Sequence, residues 1–293
     1  MKPMFPLPFG RRTLVLACTC AGVLVVMGCR ESSGPGVANP TPGPIPPPTD
    51  TDPPAETRRD TGPTPIPQDE VSVLVTTDDS MGRLLRIDPL TGVGTEVVSY
   101  KPSNLVSSVF ARDGTLYYSF GAGLGVLDPC TGDRQTVGVF NDAYIPGLAS
   151  TNKSNLYGID TWGERLVRID RQTAEVTSVG ALGRSVGNTG LTWDDAREGF
   201  LAIDGDTDEL FEIDPVTGAT ETLASLDYDF GPVGIELDEG SNTLYACGGP
   251  DLVVVNPSTG HVTVVGPIGT LACNDIAAAW FPSPCLLGPG LIR

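Results

Sequence analysis

The chain has 293 residues, a single histidine, and 36 acidic against 18 basic side chains, a formal net charge of −18. One imidazole rules out a Ser-His-Asp triad and a multi-histidine zinc site. So acidic a surface also lacks the basic footprint needed for nucleic acid or for direct contact with anionic lipid, which leaves cations, basic partners and neutral glycans.

The first 70 residues do not read as domain sequence. Lys2, Arg11 and Arg12 form a basic start, and Thr13 to Met27 is an apolar run too short for a comfortable membrane span. That combination describes a secretory signal over residues 1–28. Its last residues, Val26-Met27-Gly28-Cys29, resemble the lipobox of bacterial lipoproteins. The resemblance implies a lipidated Cys29 as the first residue of the mature chain. It also implies delivery to the outer membrane of the cell envelope, because Arg30 and not Asp follows. Removing residues 1–28 deletes three cations and no anion, so the mature chain is more acidic still. Residues 29–70 are rich in Pro, Thr, Gly, Ser and Asp, including Pro46-Pro47-Pro48 and Pro53-Pro54. Such a segment cannot bury enough apolar surface to order itself and favours extended polyproline II geometry. At about 3.1 Å per residue it is a tether on the order of 100 Å long.

From Val71 onward the chain repeats. Leu84 to Val98, Leu124 to Val139, Leu166 to Val179, Leu210 to Leu223 and Leu252 to Val265 each carry an apolar run, an Ile-Asp-Pro-x-Thr-Gly-like string and a Thr/Val run. The Asp or Asn of the string stands at 88, 128, 170, 214 and 256, a period of 40 to 44 residues. Strand-like units at that period predict a β-propeller, whose blades cannot bury their faces alone. In the fourth unit Gly190–Asp194, Gly199–Asp204, Leu210–Asp214 and Thr220–Leu226 are the expected strands. The string between the last two is turn chemistry. Asp accepts a bond from the amide two residues on, Pro presets φ, and Gly adopts the left-handed conformation. Val71–Asp78 reads as a second strand without a first, and Asp275–Phe281 as a first strand without a successor. The two ends are expected to complete one blade, giving five blades over residues 71–281 and a tail at 282–293.

The strings Leu156-Tyr157-Gly158-Ile159-Asp160 and Leu244-Tyr245-Ala246, with the five turn motifs, resemble the YVTN, NHL and quinoprotein-like group of bacterial propeller repeats. The resemblance implies an all-β propeller fold and no particular activity, since propellers host many.

Four cysteines remain for the domain, and four allow three pairings. Cys247 ends a second strand and Cys273 precedes a first strand, so both fall on the face where first strands begin. Cys130 in a third-to-fourth strand turn and Cys285 after the closing strand fall on the opposite face. The expected bridges are Cys247–Cys273 and Cys130–Cys285.

Candidate chemistry lies on the rim where first strands begin. Asp78, Asp160 and Asp204 occupy equivalent second-strand ends. Asp204, Asp206 and Asp208 alternate in a way that could supply oxygen ligands to calcium, without the glycine and distal glutamate of an EF-hand loop. Tyr144, Trp162, Tyr228 and Phe230 fall in or near the same loops and could stack on a sugar or peptide. His261 is expected at the surface. Two readings follow. The first is a monomeric, non-catalytic binding or scaffold module for a protein, peptide or glycan. The alternative is a glycan hydrolase or lyase, by analogy with five-bladed glycoside hydrolases, using Glu236 and Asp275 as acids directed into the channel. The scarcity of acids on the first strands favours binding.

Overall fold

The computed structural model describes residues 72–102, 104–280 and 283–287. The signal segment 1–28, Cys29, the tether 29–70, Val71, Phe281 and the tail beyond Leu287 lie outside the described residues.

Twenty strands form five four-stranded antiparallel blades. Blade 1 holds β1 (Val73–Asp78), β2 (Arg83–Ile87) and β3 (Gly94–Ser99). Blade 2 holds β4 (Ser107–Phe110), β5 (Leu116–Ser119), β6 (Gly123–Leu127) and β7 (Arg134–Val139). Blade 3 holds β8 (Gly147–Ser150), β9 (Leu156–Asp160), β10 (Arg165–Ile169) and β11 (Val176–Ala181). Blade 4 holds β12 (Thr189–Asp194), β13 (Gly199–Asp204), β14 (Glu209–Ile213) and β15 (Thr220–Ser225). Blade 5 holds β16 (Val233–Asp238), β17 (Thr243–Gly248), β18 (Asp251–Val255) and β19 (Val262–Pro267). The chain then returns as β20 (Ala277–Ala279), which pairs antiparallel with β1 and completes blade 1 from within. A short helix, α1 (Pro284–Leu287), follows. The closing strand covers Ala277–Ala279 of the expected Asp275–Phe281, and Asp275, ahead of it, bonds Thr77 and Ser108 through its side chain.

The five inner strands β4, β8, β12, β16 and β20 touch in sequence around the ring. They run so close that a Cβ at Gly190 would meet Ile235 at 2.7 Å, and one at Gly234 would meet the Asp275 backbone at 2.5 Å. Third strands are buried on both faces, as in Leu84, Leu85 and Ile87, while the outermost strands alternate half-buried and exposed residues. Five apolar clusters, one per interface, fill the space between blades.

The repeated Asp acts as the turn chemistry requires. Asp88, Asp128, Asp170, Asp214 and Asn256 accept the amide two residues on, at 2.8 to 3.0 Å. The turn also carries an inter-blade contact. A Cβ on Gly132, Gly218, Gly260 or Gly92 would strike the outermost strand of the preceding blade at Ser99, Gly180, Ser225 or Gly266 respectively. Blade 3 has Ala174 at this left-handed position, with φ 62°, and there the preceding strand supplies Gly138. One partner of the pair stays small because two backbones meet.

The structure joins Cys247 to Cys273 and Cys130 to Cys285, with Cα separations of 5.7 and 5.4 Å. The first sits on the upper face, where inner strands begin; the second ties α1 to blade 2 on the lower face. Among the described residues no helix is long and apolar enough to cross a membrane.

Candidate functional site

Three places can be compared: the upper rim, the channel and the lower mouth. On the upper rim Asp78, Asp160 and Asp204 are buried and each secures its own blade's turn. Asp78 accepts from Ser80 Oγ at 2.6 Å and Arg83 Nε at 3.0 Å. Burial alone would raise its carboxyl, but these hydrogen bonds and the Met81 amide outweigh burial and lower it. Asp204 accepts the amides of Asp206 and Gly187 at 3.1 and 3.4 Å. Asp206 accepts instead from Asn188 at 2.7 Å, and Asp208 from the Phe230 amide at 3.0 Å. The alternating carboxylates therefore face different donors, and among the described residues no group of three acids, histidines or cysteines is placed to hold a metal.

Asp160 does more than close a turn. Its Oδ1 accepts the amides of Tyr144 and Trp162, both at 3.2 Å, and its Oδ2 is clamped by Arg165 Nε at 2.8 Å. Thr161 N donates to the Tyr144 carbonyl at 3.0 Å, so two loops are fastened together. On them the Tyr144 and Trp162 rings stack, with centroids 5.6 Å apart and planes 23° apart. The Tyr144 ring lies over Gly121, where a Cβ would meet it at 2.4 Å. The Trp162 side is 70% exposed. A buried carboxylate thus fixes a flat aromatic platform that faces solvent. Tyr228 and Phe230 do not extend it: Phe230 is 4% exposed within the apolar cluster between blades 4 and 5, and Tyr228 tilts over it at 4.7 Å and donates to the Gly248 carbonyl. They read as rim residues in sequence because they sit in a loop; tertiary packing draws them inward.

In the channel Asp275 and Glu236 are both buried. Asp275 accepts from Thr77 N and Oγ1 at 3.2 and 2.9 Å and from Ser108 Oγ, so it joins blades 1 and 2 at the closure seam. Burial raises its carboxyl above the ordinary range in spite of these donors. Glu236 accepts from Thr192 Oγ1 at 3.2 Å and from the Ala278 amide, spanning the inner strands on either side of its own. Burial pushes it up to about 8. Each acid is enclosed by its own bonding partners within the wall of the ring. His261 is exposed on the periphery, with Nδ1 2.7 Å from Asp227.

The lower mouth carries a cluster not singled out in the sequence. Arg112, after β4, bonds Asp195, after β12, and Glu239, after β16, both at 2.8 Å. Its guanidinium lies 3.4 Å from the ring centre of Trp280, at the end of β20. Trp193 Nε1 donates to Asp195 at 2.5 Å. Burial raises Glu239 to about 7, against the lowering effect of Arg112. One cation therefore connects four of the five blades across the mouth. The only signal in the sequence was that unlike residues follow the inner strands at matching positions.

A five-bladed, four-stranded propeller is thus the class of protein that the fold defines. No protein-family model matches the chain, and no curated protein does. Solved structures are similar to it in fold. A structural genomics protein of unknown function from Bacteroides thetaiotaomicron is 18% identical over 68% of this chain and 56% of that one, with a TM-score of 0.48. The chain accordingly spans little more than half of that protein. The nidogen/laminin complex includes a chain 14% identical over 71% of this chain and 98% of that one, TM-score 0.52. Virginiamycin B lyase from Staphylococcus aureus is 16% identical over 67% and 70%, TM-score 0.43. Likeness at this level concerns the fold, not the site.

Proposed function

We propose that the domain is a non-catalytic binding module, held in a bacterial envelope by lipid on Cys29 and the 29–70 tether, that docks a protein, peptide or glycan on its upper rim. The observation that carries this reading is the Trp162–Tyr144 platform. A lone exposed aromatic is unremarkable. One stacked on a second ring, with both amides bonded to the same buried Asp160, has its ordering entropy already spent, the condition under which an exposed ring binds well. The net charge of −18 suits a neutral or basic ligand.

The test is capture of envelope proteins and glycans by the full chain and by Trp162→Ala. The variant is expected to lose at least tenfold in affinity with an unchanged melting temperature, because the indole is mostly in solvent already. Equal capture by both would end the rim reading. Cys29→Ser is expected to move the protein from the membrane fraction to the soluble fraction. The enzyme reading keeps one favourable observation, the raised carboxyls of Glu236 and Asp275. Turnover of a glycan that Glu236→Gln abolishes would replace binding by catalysis.

A further inference from the structure

One position decides how full each interface between neighbouring blades is. Register with the third strand makes Val75, Tyr117, Tyr157, Leu201 and Tyr245 equivalent, opposite Arg86, Val126, Arg168, Glu212 and Val254. Each faces the next blade. Tyr117 joins Leu148 and Leu156 of blade 3, Tyr157 packs on Phe200 of blade 4 at 4.9 Å, and Tyr245 joins Leu74 and Ile87 of blade 1. Those three interfaces are filled by a phenol ring. The other two positions are aliphatic and leave room.

At one of the two the chain fills the room itself. Leu286 of α1, 1% exposed, enters the cluster of Val75, Phe110, Leu116 and Leu127 between blades 1 and 2. Arg86 Nη1 donates to the carbonyls of Leu286 and Leu287 at 3.2 and 2.6 Å, and the Cys130–Cys285 bridge fastens the turn. A cavity of about 370 Å³ remains beside it. Between blades 4 and 5 the register equivalents of the last three residues are Leu237, Leu244 and Val255, with Leu201 in place of Val75. No described residue takes the place of Leu286, and the groove there is about 590 Å³. Its polar rim is Asp194, Arg197, Asn242, Thr243, Asn256 and Ser258, the last equivalent to Cys130; Arg197 pairs with Asp194 and with Glu212, which stands at the place of Arg86 in the filled copy.

We infer that the lower-face groove between blades 4 and 5 is a docking site for a partner polypeptide that presents a leucine on a short helical turn, seated as Leu286 is seated between blades 1 and 2. The filled copy of the groove supplies the chemistry: an aliphatic side chain into the Leu201, Leu237, Leu244 and Val255 floor, with backbone polar groups at the rim. The volume is in the range of formed ligand sites, roughly 300–1,000 Å³. Burial of one leucine contributes about 2 kcal/mol, so the seat suits a contact made together with others. The site is separate from the upper rim and stands whether or not the rim binds a ligand.

Disulfide capture tests it. The full chain carrying Ser258→Cys is incubated in a glutathione buffer with a synthetic peptide of residues 282–289, in which Cys285 can bond the introduced thiol as it bonds Cys130. Val216→Cys is the control, at the same turn position in blade 4, where Tyr157 fills the interface. Mass spectrometry is expected to show at least tenfold greater capture at position 258 than at 216. Adding Leu201→Tyr, or using the peptide with Leu286→Asp, is expected to bring capture down to the control level. Leu201→Tyr should also leave the melting temperature unchanged or raise it, since tyrosine is what the filled interfaces hold. Equal capture at the two positions, or capture indifferent to Leu286→Asp, would overturn the inference. The peptide variant decides the matter even where Leu201→Tyr perturbs folding.

Discussion

The two ends of the propeller are built on different principles. On the upper face the aspartates close turns within a blade and hold the loop that leads into it: Asp78 reaches Ser80 and Arg83, and Asp160 reaches Trp162, Arg165 and Tyr144 of the loop from blade 2. On the lower face Arg112 reaches residues 83 and 127 positions away, and Cys285 bolts α1 to blade 2. Short-range bonds on the upper face hold the loops that display Trp162. Cross-ring fastening shuts the lower mouth and ties blades that are far apart in sequence. Both faces help to close the ring, the upper through Cys247–Cys273 and the Arg83 bond to the Gly269 carbonyl, the lower through one cation that reaches four blades.

The largest effect expected is on the lower bridge. Cys130 and Cys285 are 155 residues apart, so loop-closure entropy assigns their bond about 5 kcal/mol, against about 3.5 kcal/mol for Cys247–Cys273, 26 residues apart. Replacing each pair by alanine and measuring the denaturant midpoint should reproduce that order; a costlier upper pair would break the comparison.

Next comes pH. Glu236 titrates at about 8 in the fold against 4.5 when free, so the folded state holds its proton more tightly. Its contribution to stability is full below pH 4.5 and is lost as pH rises through about 8; Glu239, at about 7, acts in the same sense. Stability is expected to fall by a few kcal/mol between pH 5 and 9. Asp275, also raised by burial, acts in the same sense, so Glu236→Gln should flatten part of that slope in melting curves, and an unchanged slope would place the ionisation elsewhere.

Arg112→Met leaves Asp195 and Glu239 without their shared cation and should cost about 1–3 kcal/mol, more at pH 8 than at pH 6, as Glu239 loses its proton. Arg83→Met on the upper face should cost under about 1 kcal/mol, because the pair is partly exposed and Asp78 retains Ser80 and the Met81 amide. Equal losses by chemical denaturation would erase the contrast between the faces. The smallest effect is Ala174→Gly, expected to stabilise by up to about 1 kcal/mol through relief of a left-handed alanine.

The sequence was most legible where structure is local. The Asp-to-amide turns at 88, 128, 170, 214 and 256, and the strand bounded by Gly199 and Asp204, follow from contacts within a few residues. The cysteine bridges were also legible, since blade topology follows from the repeat and assigns each cysteine to a face. Side-chain fate in the loops was not: Phe230 and Trp162 look alike in the chain, yet Phe230 is core and Trp162 is exposed. The carboxylates of Asp204, Asp206 and Asp208 alternate as ligands would, yet Asp204 meets the amides of Asp206 and Gly187, Asp206 the side chain of Asn188 and Asp208 the Phe230 amide.

The period, the blade count and the closure of the ring by a strand after blade 5 were all readable along the chain. These depend on backbone conformation and on an apolar pattern repeated in every unit. Which unlike residues meet is a matter of tertiary packing: Arg112 with Asp195 and Glu239, Tyr144 with Trp162, Leu286 with Val75, and no described residue with Leu201 at the matching place. Such meetings join positions from separate blades, and their distances are set by how five sheets pack around one axis rather than by any spacing along the chain.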